Sequence, residues 1–441
     1  MRLKLSIRRS ACRYAAYAVA LWICSTALSF CVSAEPVWLW STAHPIPKEL
    51  TTEGSGYFSI IEGKNEKIYI GTAKYGFNAF LVEFDPKTKA MKTVVDCMKE
   101  IGSTATGFAA QAKIHTRNNV GDSGKIYFGT KQGYPKPNSE EKRTDYPGGY
   151  PMVYDPATGK SRVYDIPVPH QGVISIAPDE SRGVAYVSTC SDERPIESTH
   201  FLVLNLETGK YRDLLDARHM YAFIVIDKAG RAYHPVLGGQ IARFDPAADK
   251  LVLLAQTIDG QHPSNDSHLA DEQSHPINWD ISPDKQTLWA VAMSGNQLYS
   301  YDLKGIGNTL AGKTHGPLIK DAKATDCRAM CVAPDGRVWM GVAATFAEPS
   351  AKRGQYLHLV SYQSGAATCI DHGPIAVNNP DFTKFTGDDG KQLPWHHGYE
   401  TRAHGTLTPR FTIMGICAAR NGAVYVTTLA PFTLHEIKIP N

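Results

Sequence analysis

The chain has 441 residues, of which 46 are basic, 43 acidic and 43 % hydrophobic. The hydrophobic share is ample for a packed core, and the near balance of charge leaves no basic surface for a nucleic-acid partner. The 37 glycines and 27 prolines fit a turn-rich β-protein.

Arg2, Lys4, Arg8, Arg9 and Arg13 form a basic leader, Tyr14–Cys31 an apolar stretch, and Val32-Ser33-Ala34 a small-residue exit before Glu35. These are the three parts of a secretory signal. The uncharged stretch is also long enough for a retained membrane anchor, which stays open as the alternative. Phe30 directly before Cys31 argues against a lipid anchor. Five of the 46 basic residues belong to the leader, leaving 41 against 43 acidic ones. The expectation is a near-neutral, monomeric, secreted or periplasmic protein with its leader at 1–34 and a single domain at 35–441.

Seven units follow, spaced at roughly 50 residues. Unit one carries K-I-Y-I-G-T from Lys67 and F-D-P-K-T-K from Phe84. Unit two runs from a first strand at Phe108–His115 through K-I-Y-F-G-T from Lys125 to V-Y-D-P-A-T-G from Val153. Units three and four repeat the pattern with V-A-Y-V-S-T from Val184 and R-A-Y-H from Arg231. Units five, six and seven continue with T-L-W-A-V-A from Thr287, R-V-W-M-G-V from Arg337 and A-V-Y-V-T-T from Ala423. Unit six states the grammar most plainly: Met330–Met340 reads M-C-V-A-P-D-G-R-V-W-M, two apolar strands around a Pro-Asp-Gly turn. Four strands per unit predict an all-β, seven-bladed β-propeller. The last unit lacks a fourth strand, which Val37–Trp40 is placed to supply, closing the ring and protecting its edges.

Turns after the third strand of each unit are short Asp/Pro/Gly turns with local jobs. Connections after the second and fourth strands are long: Lys131–Gly148, Cys190–His200, Ile258–His275, Ala343–Gln355 and Ile375–Arg410. All open on one face, and loops of that length are commonly functional.

Cys97, Cys190, Cys327, Cys331, Cys369 and Cys417 remain after the leader, with no zinc or haem-attachment spacing. Cys331 and Cys417 hold matching positions in neighbouring units and read as small core residues.

Candidate site residues gather where the inner strands open onto the long-loop face. His170, His275 and Asp326 are equivalent in units three, five and six, and His219 lies one residue before the matching place in unit four. His115 and Arg328 lie on inner strands, Arg410 lies beside one, and His234 ends a second strand. Tyr134 starts the long loop of unit two. The 375–410 insertion adds Trp395, His397, Arg402 and His404. Histidine transfers protons near neutral pH and arginine grips carboxylates, so this set suits an anionic sugar. No cofactor is expected, although a divalent metal held by histidines such as His262, His268 and His275 stays open.

The blade grammar resembles that of secreted bacterial seven-bladed propellers of the YVTN/WD40-like and streptogramin-lyase-like kind, and the architecture resembles that of propeller polysaccharide lyases. That resemblance implies fold more than function, and no catalytic assignment is carried over from it. The first functional expectation is an exported lyase, with a glycoside hydrolase next, acting on a uronic-acid-containing glycan. Arg328 or Arg410 would neutralise the carboxylate, and His115, His170 or His275 would remove the C5 proton. Tyr134 or another histidine would protonate the leaving oxygen. His219, His234, Trp395, His397, Arg402, His404 and Arg410 would hold the sugar. The alternative is a non-catalytic propeller binding a glycan or a protein partner through the same face.

Overall fold

The Pro-Asp-Gly segment of unit six closes a hairpin. Ala322–Val332 pairs antiparallel with Val338–Phe346, and Cys331 faces Trp339 across the ladder. Gly336 takes φ 83°, a left-handed conformation that glycine adopts without cost, and its N–H donates to the Ala333 carbonyl at 2.9 Å. A computed structural model describes residues 36–52, 58–134, 140–192, 198–219, 221, 223–261, 277–305, 307–346, 356–379, 398–402, 405–411 and 415–439. The leader lies outside them.

The units become antiparallel meanders. Unit one is the sheet Ile60–Glu62, Ile68–Gly71, Phe80–Phe84 and Met91–Asp96. Unit three is Gly172–Asp179, Val184–Cys190, Ser198–Asn205 and Tyr211–Arg218. Units four and five join through parallel pairing of Lys250–Ile258 with Thr309–Pro317, the fourth strand of each. Units six and seven join in the same way, because Leu39–Pro45 pairs parallel with Ile370–Val377 and antiparallel with Thr433–Lys438. The N-terminal strand therefore lies outermost beside the last C-terminal one. The result is a propeller-like all-β fold, and Val37–Asn441 forms one compact unit. Among the described residues no helix is long and apolar enough to cross a membrane.

Unit two departs from the pattern. The continuous first strand expected at Phe108–His115 is instead a short 3-10 turn at Gly107–Ala109, then Lys113–Ile114 and, after a break, Asn119–Val120. Both pieces pair with Ile126–Lys131. The break frees His115–Asn118 from the ladder and lets Arg117 leave the sheet. Thr116 helps fix it, its Oγ accepting from the Gly129 N–H at 3.1 Å.

Several histidines are consumed by the meanders. Trp289 lies opposite Ser300, whose Oγ bonds His315 Nε2 at 2.7 Å, and the His315 ring sits 5.0 Å from the Trp289 ring. Unit six repeats this: Trp339 lies opposite Ser361, Ser361 Oγ bonds His372 Nε2 at 2.9 Å, and the rings are 5.2 Å apart. Burial lowers both imidazole pKa values, which favours the neutral ring that can share a proton with serine. In unit seven His435 is fully buried between Ser41 (2.9 Å), Tyr399 (2.8 Å) and Thr428 (3.0 Å).

All six described cysteines are free. Cys331 Sγ sits at the Ala418 backbone of unit seven and Cys417 Sγ at the Glu62 backbone of unit one. The two thiols are close enough that Cys331 adds to the upward push on the Cys417 pKa, after burial.

Candidate functional site

Inner strands converge on an axial channel, and Arg117 crosses it. Arg117 Nη2 donates to the Met330 carbonyl at 3.0 Å and pairs with Asp280 Oδ2 at 3.0 Å, while Nη1 donates to the Trp279 carbonyl. One side chain from unit two thereby ties down the inner strands of units five and six. Above it lies a pocket of about 20 Å³, room for little more than one water, lined by Phe58, Phe223, Asn278, Arg328, Met330 and Ile416 among others. Below it the channel widens toward the turn-bearing face.

His115 and Arg328 are linked through Phe58, which touches the one and lines a pocket with the other. His115 is buried and packs edge-on against Phe58 at 5.2 Å and against Tyr221 at 5.6 Å. Phe58 lines the same pocket as Arg328. The Arg328 Nε donates to both Asp326 oxygens at 2.9 and 3.0 Å, so two residues picked out by the repeat alignment are partners of each other.

A second cluster lies off the axis, over units two and three. Lys113 and Lys131 are fully buried and directly opposite in the ladder. Like charges so placed repel unless matched. Lys131 Nζ pairs with Asp192 at 3.1 Å. Lys113 Nζ sits 4.2 Å from the centroid of the Tyr134 ring and 5.8 Å from that of Tyr75, and the two rings are 5.6 Å apart. Tyr134 is half exposed above them. His170 belongs to the same sector. Its Nδ1 lies 2.7 Å from the Tyr146 carbonyl, and the Tyr146 hydroxyl donates to Gln111, which also accepts from Thr130 beside Lys131. A carbonyl can only accept, so Nδ1 carries the proton and Nε2 is the basic nitrogen of an exposed ring.

The structure does not bring the remaining candidates here. His234 is in mid-strand within Ala232–Val236 and fully buried, stacked 5.1 Å from Phe201 and bonded through Nε2 to Ser188 at 2.9 Å. Burial, with repulsion from nearby His219, lowers its pKa to about 3. His219 is buried too. Arg402 and Arg410 flank Glu400 at 2.8 and 3.6 Å on the hairpin of Tyr399–Thr401 with Leu407–Pro409, and Arg402 also covers the Tyr356 ring. That hairpin returns to the outer strand of unit six, where Leu407 pairs with Val377. His275, Trp395, His397 and His404 lie outside the described residues. Among the described residues no group of three or more His, Cys, Asp or Glu side chains could hold a metal ion.

The comparisons with known proteins decide the fold. No family model matches the chain, and no curated protein does. Solved structures match: a chain from the crystal structure of a mitotic checkpoint complex covers 100 % of this chain and 98 % of its own length, at TM-score 0.51 and 7 % identity. The structure of U3-55K (TM-score 0.49, 8 % identity, 86 % of this chain and 95 % of that one) also matches. So does a structural genomics protein of unknown function from Bacteroides thetaiotaomicron VPI-5482 (TM-score 0.43, 9 % identity, 90 % and 72 %). The likeness is one of fold alone.

Residues missed in the sequence are Lys113, Lys131, Arg117 and Asp280. A signal for the first two was present. K-I-H at Lys113 and T-K-Q at Lys131 place lysines at the ends of strands that are otherwise apolar, where a buried cation needs a reason. Arg117 carried no such mark, because its role depends on the break in its strand.

Proposed function

We propose that the chain is a seven-bladed β-propeller whose ring is closed by Leu39–Pro45 completing the last blade. We further propose that it is an exported lyase of the streptogramin-lyase-like architectural type, acting on a uronic-acid-containing glycan at its long-loop face. The observation that carries this reading is the half-exposed Tyr134 ring seated over the buried Lys113 ammonium, with His170 in the same sector. An acidic sugar stacking on Tyr134 would bring its carboxylate to a fixed positive charge in a low-dielectric setting, where charge stabilisation is strongest. Nε2 of His170 takes the C5 proton and the electron pair passes into the carboxylate as an enolate. The pair then returns to form the C4–C5 double bond as the C4–O bond breaks, and the Tyr134 hydroxyl protonates the leaving oxygen. Arg328, whose side chain is 40 % exposed, would face the neighbouring sugar unit.

The test is incubation with a panel of uronate polymers, following the ultraviolet absorbance of the unsaturated product. The wild type should give product on at least one polymer. His170→Ala and Tyr134→Phe should each lower the rate by about 100-fold or more while binding persists. No product on any acidic glycan would remove the lyase reading.

A specific observation favours a second reading, a propeller that binds the same ligand without turning it over. Arg328 is engaged by Asp326, Arg402 and Arg410 by Glu400, and His219 and His234 are buried. Binding without turnover in the wild type, lost in Lys113→Met, would establish it.

A further inference from the structure

The turn-bearing face contains a cavity of about 330 Å³ below Arg117, within the range of small-molecule sites of roughly 300–1,000 Å³. Its walls are mixed, with Ile60, Ile281, Val332, Pro334, Ile416 and Ala418 supplying the apolar part. The polar groups gather at its floor. Arg117 and Asp280 are paired there at 3.0 Å, and Asn118 and Asn119 flank them. Glu62 on the wall accepts from the Arg420 backbone N–H at 3.1 Å and from its Nε at 3.0 Å. Asn118 is 1 % exposed; its Oδ1 accepts from Ser59 at 2.7 Å, while its Nδ2 finds no acceptor among the described residues. A buried amide donor without a partner is uncommon and costs free energy.

We propose that this cavity is a second binding site, for a small neutral hydroxylated molecule of single-sugar-ring size. The charges choose the class. Each charged group in the lining is matched, Arg117 by Asp280 and Glu62 by Arg420, so a free anion or cation gains nothing and would have to displace a partner. Hydroxyl groups do gain. They can donate to the one acceptor position left on Asp280, whose Oδ2 already accepts from Arg117 and from the Val332 N–H at 2.8 Å and whose Oδ1 accepts from the Ile281 N–H at 2.8 Å. The isoleucine, valine and proline walls suit the C–H faces of such a ring. Arg117 lies between this cavity and the narrow pocket on the long-loop side, so among the described residues the site opens toward the turn-bearing face.

The experiment is saturation-transfer NMR on the full chain with methyl α-glucoside, methyl α-galactoside and glucuronate as probes. The expected result is transfer to a neutral glycoside with binding in the millimolar range, as fits a single ring, and none to glucuronate that Pro334→Trp removes. Pro334 lies on the exposed rim, so its replacement by tryptophan roofs the cavity without entering the core. It should weaken glycoside binding by about tenfold or more, and Ala418→Trp should do the same from the wall. Lys113→Met on the opposite face should leave it unchanged. Absence of transfer to either neutral glycoside overturns the proposal. So does transfer that survives in a Pro334→Trp variant with wild-type circular dichroism and melting.

Discussion

Replacing Arg117 by methionine is expected to destabilise the protein by about 3 kcal/mol, at the low end of what breaking a buried ion pair costs. The side chain is 16 % exposed and serves three acceptors on two other units. Methionine keeps much of the volume and removes every donor, leaving the Asp280 carboxylate without its cation and the Trp279 and Met330 carbonyls without Arg117 as donor. In a body of about 400 residues this corresponds to a melting shift of roughly 3–4 °C. Lysine should rescue little, since one ammonium cannot reach two carbonyls and a carboxylate in the planar fork that arginine provides. The cycle with Asp280→Asn isolates the pair: Arg117→Met should cost at least about 1 kcal/mol less in that background. Additive losses would show that Arg117 acts through its two carbonyl bonds and its packing rather than through Asp280.

The periodic grammar of the strands was legible because it is a local pattern, repeated. Alternating apolar runs around Asp/Pro/Gly turns state the meander in each unit, but the missing fourth strand was placed too early: Ser41–Pro45, not Val37–Trp40, pairs with Thr433–Lys438, while Leu39 and Trp40 pair with the outer strand of unit six. What was not legible depends on departures from the pattern. Aligning on turns placed His234 at a strand end, but its strand continues to Val236 and the ring turns between units three and four. Tyr399, from the insertion that also carries Trp395 and His397, is buried, with its hydroxyl on Thr428 and His435. A histidine near the mouth of a repeat and one inside a Trp–Ser–His relay carry the same sequence mark. Only the register of Trp339 with Ser361, and the reach of His372 to it, separates them. Lys113 and Lys131 make the converse case, since their opposition depends on the register that the break in the first strand of unit two sets against the second.

Acid should unfold the protein well before its carboxylates titrate. His234 and His435 are fully buried, and each has its pKa lowered to about 3, by burial first and then by repulsion from His219 and His44 respectively. In the unfolded chain both titrate near 6.5. Between those values the unfolded state binds the protons and the native state does not, so stability is fully present above about pH 6.5 and falls as the pH drops toward 3. Two such groups give a slope approaching about 2.7 kcal/mol per pH unit near pH 5. Glu436 adds a later loss: His44 first, and then Lys89, hold its pKa at about 2, and its contribution disappears below the ordinary carboxylate value near 4.5. Urea midpoints should therefore be flat from pH 8 to 7 and fall steeply from 6 to 4.5. A His234→Gln, His435→Gln double variant should be less stable than wild type at pH 7.5, having lost shape and hydrogen bonds around Ser188 and Ser41. It should also lose most of the slope, and the two curves should converge as the pH falls. A wild-type midpoint unchanged between pH 6.5 and 5 would mean that both rings accept a proton in the native state, and that the serine bonds are made by imidazolium rather than by the neutral ring.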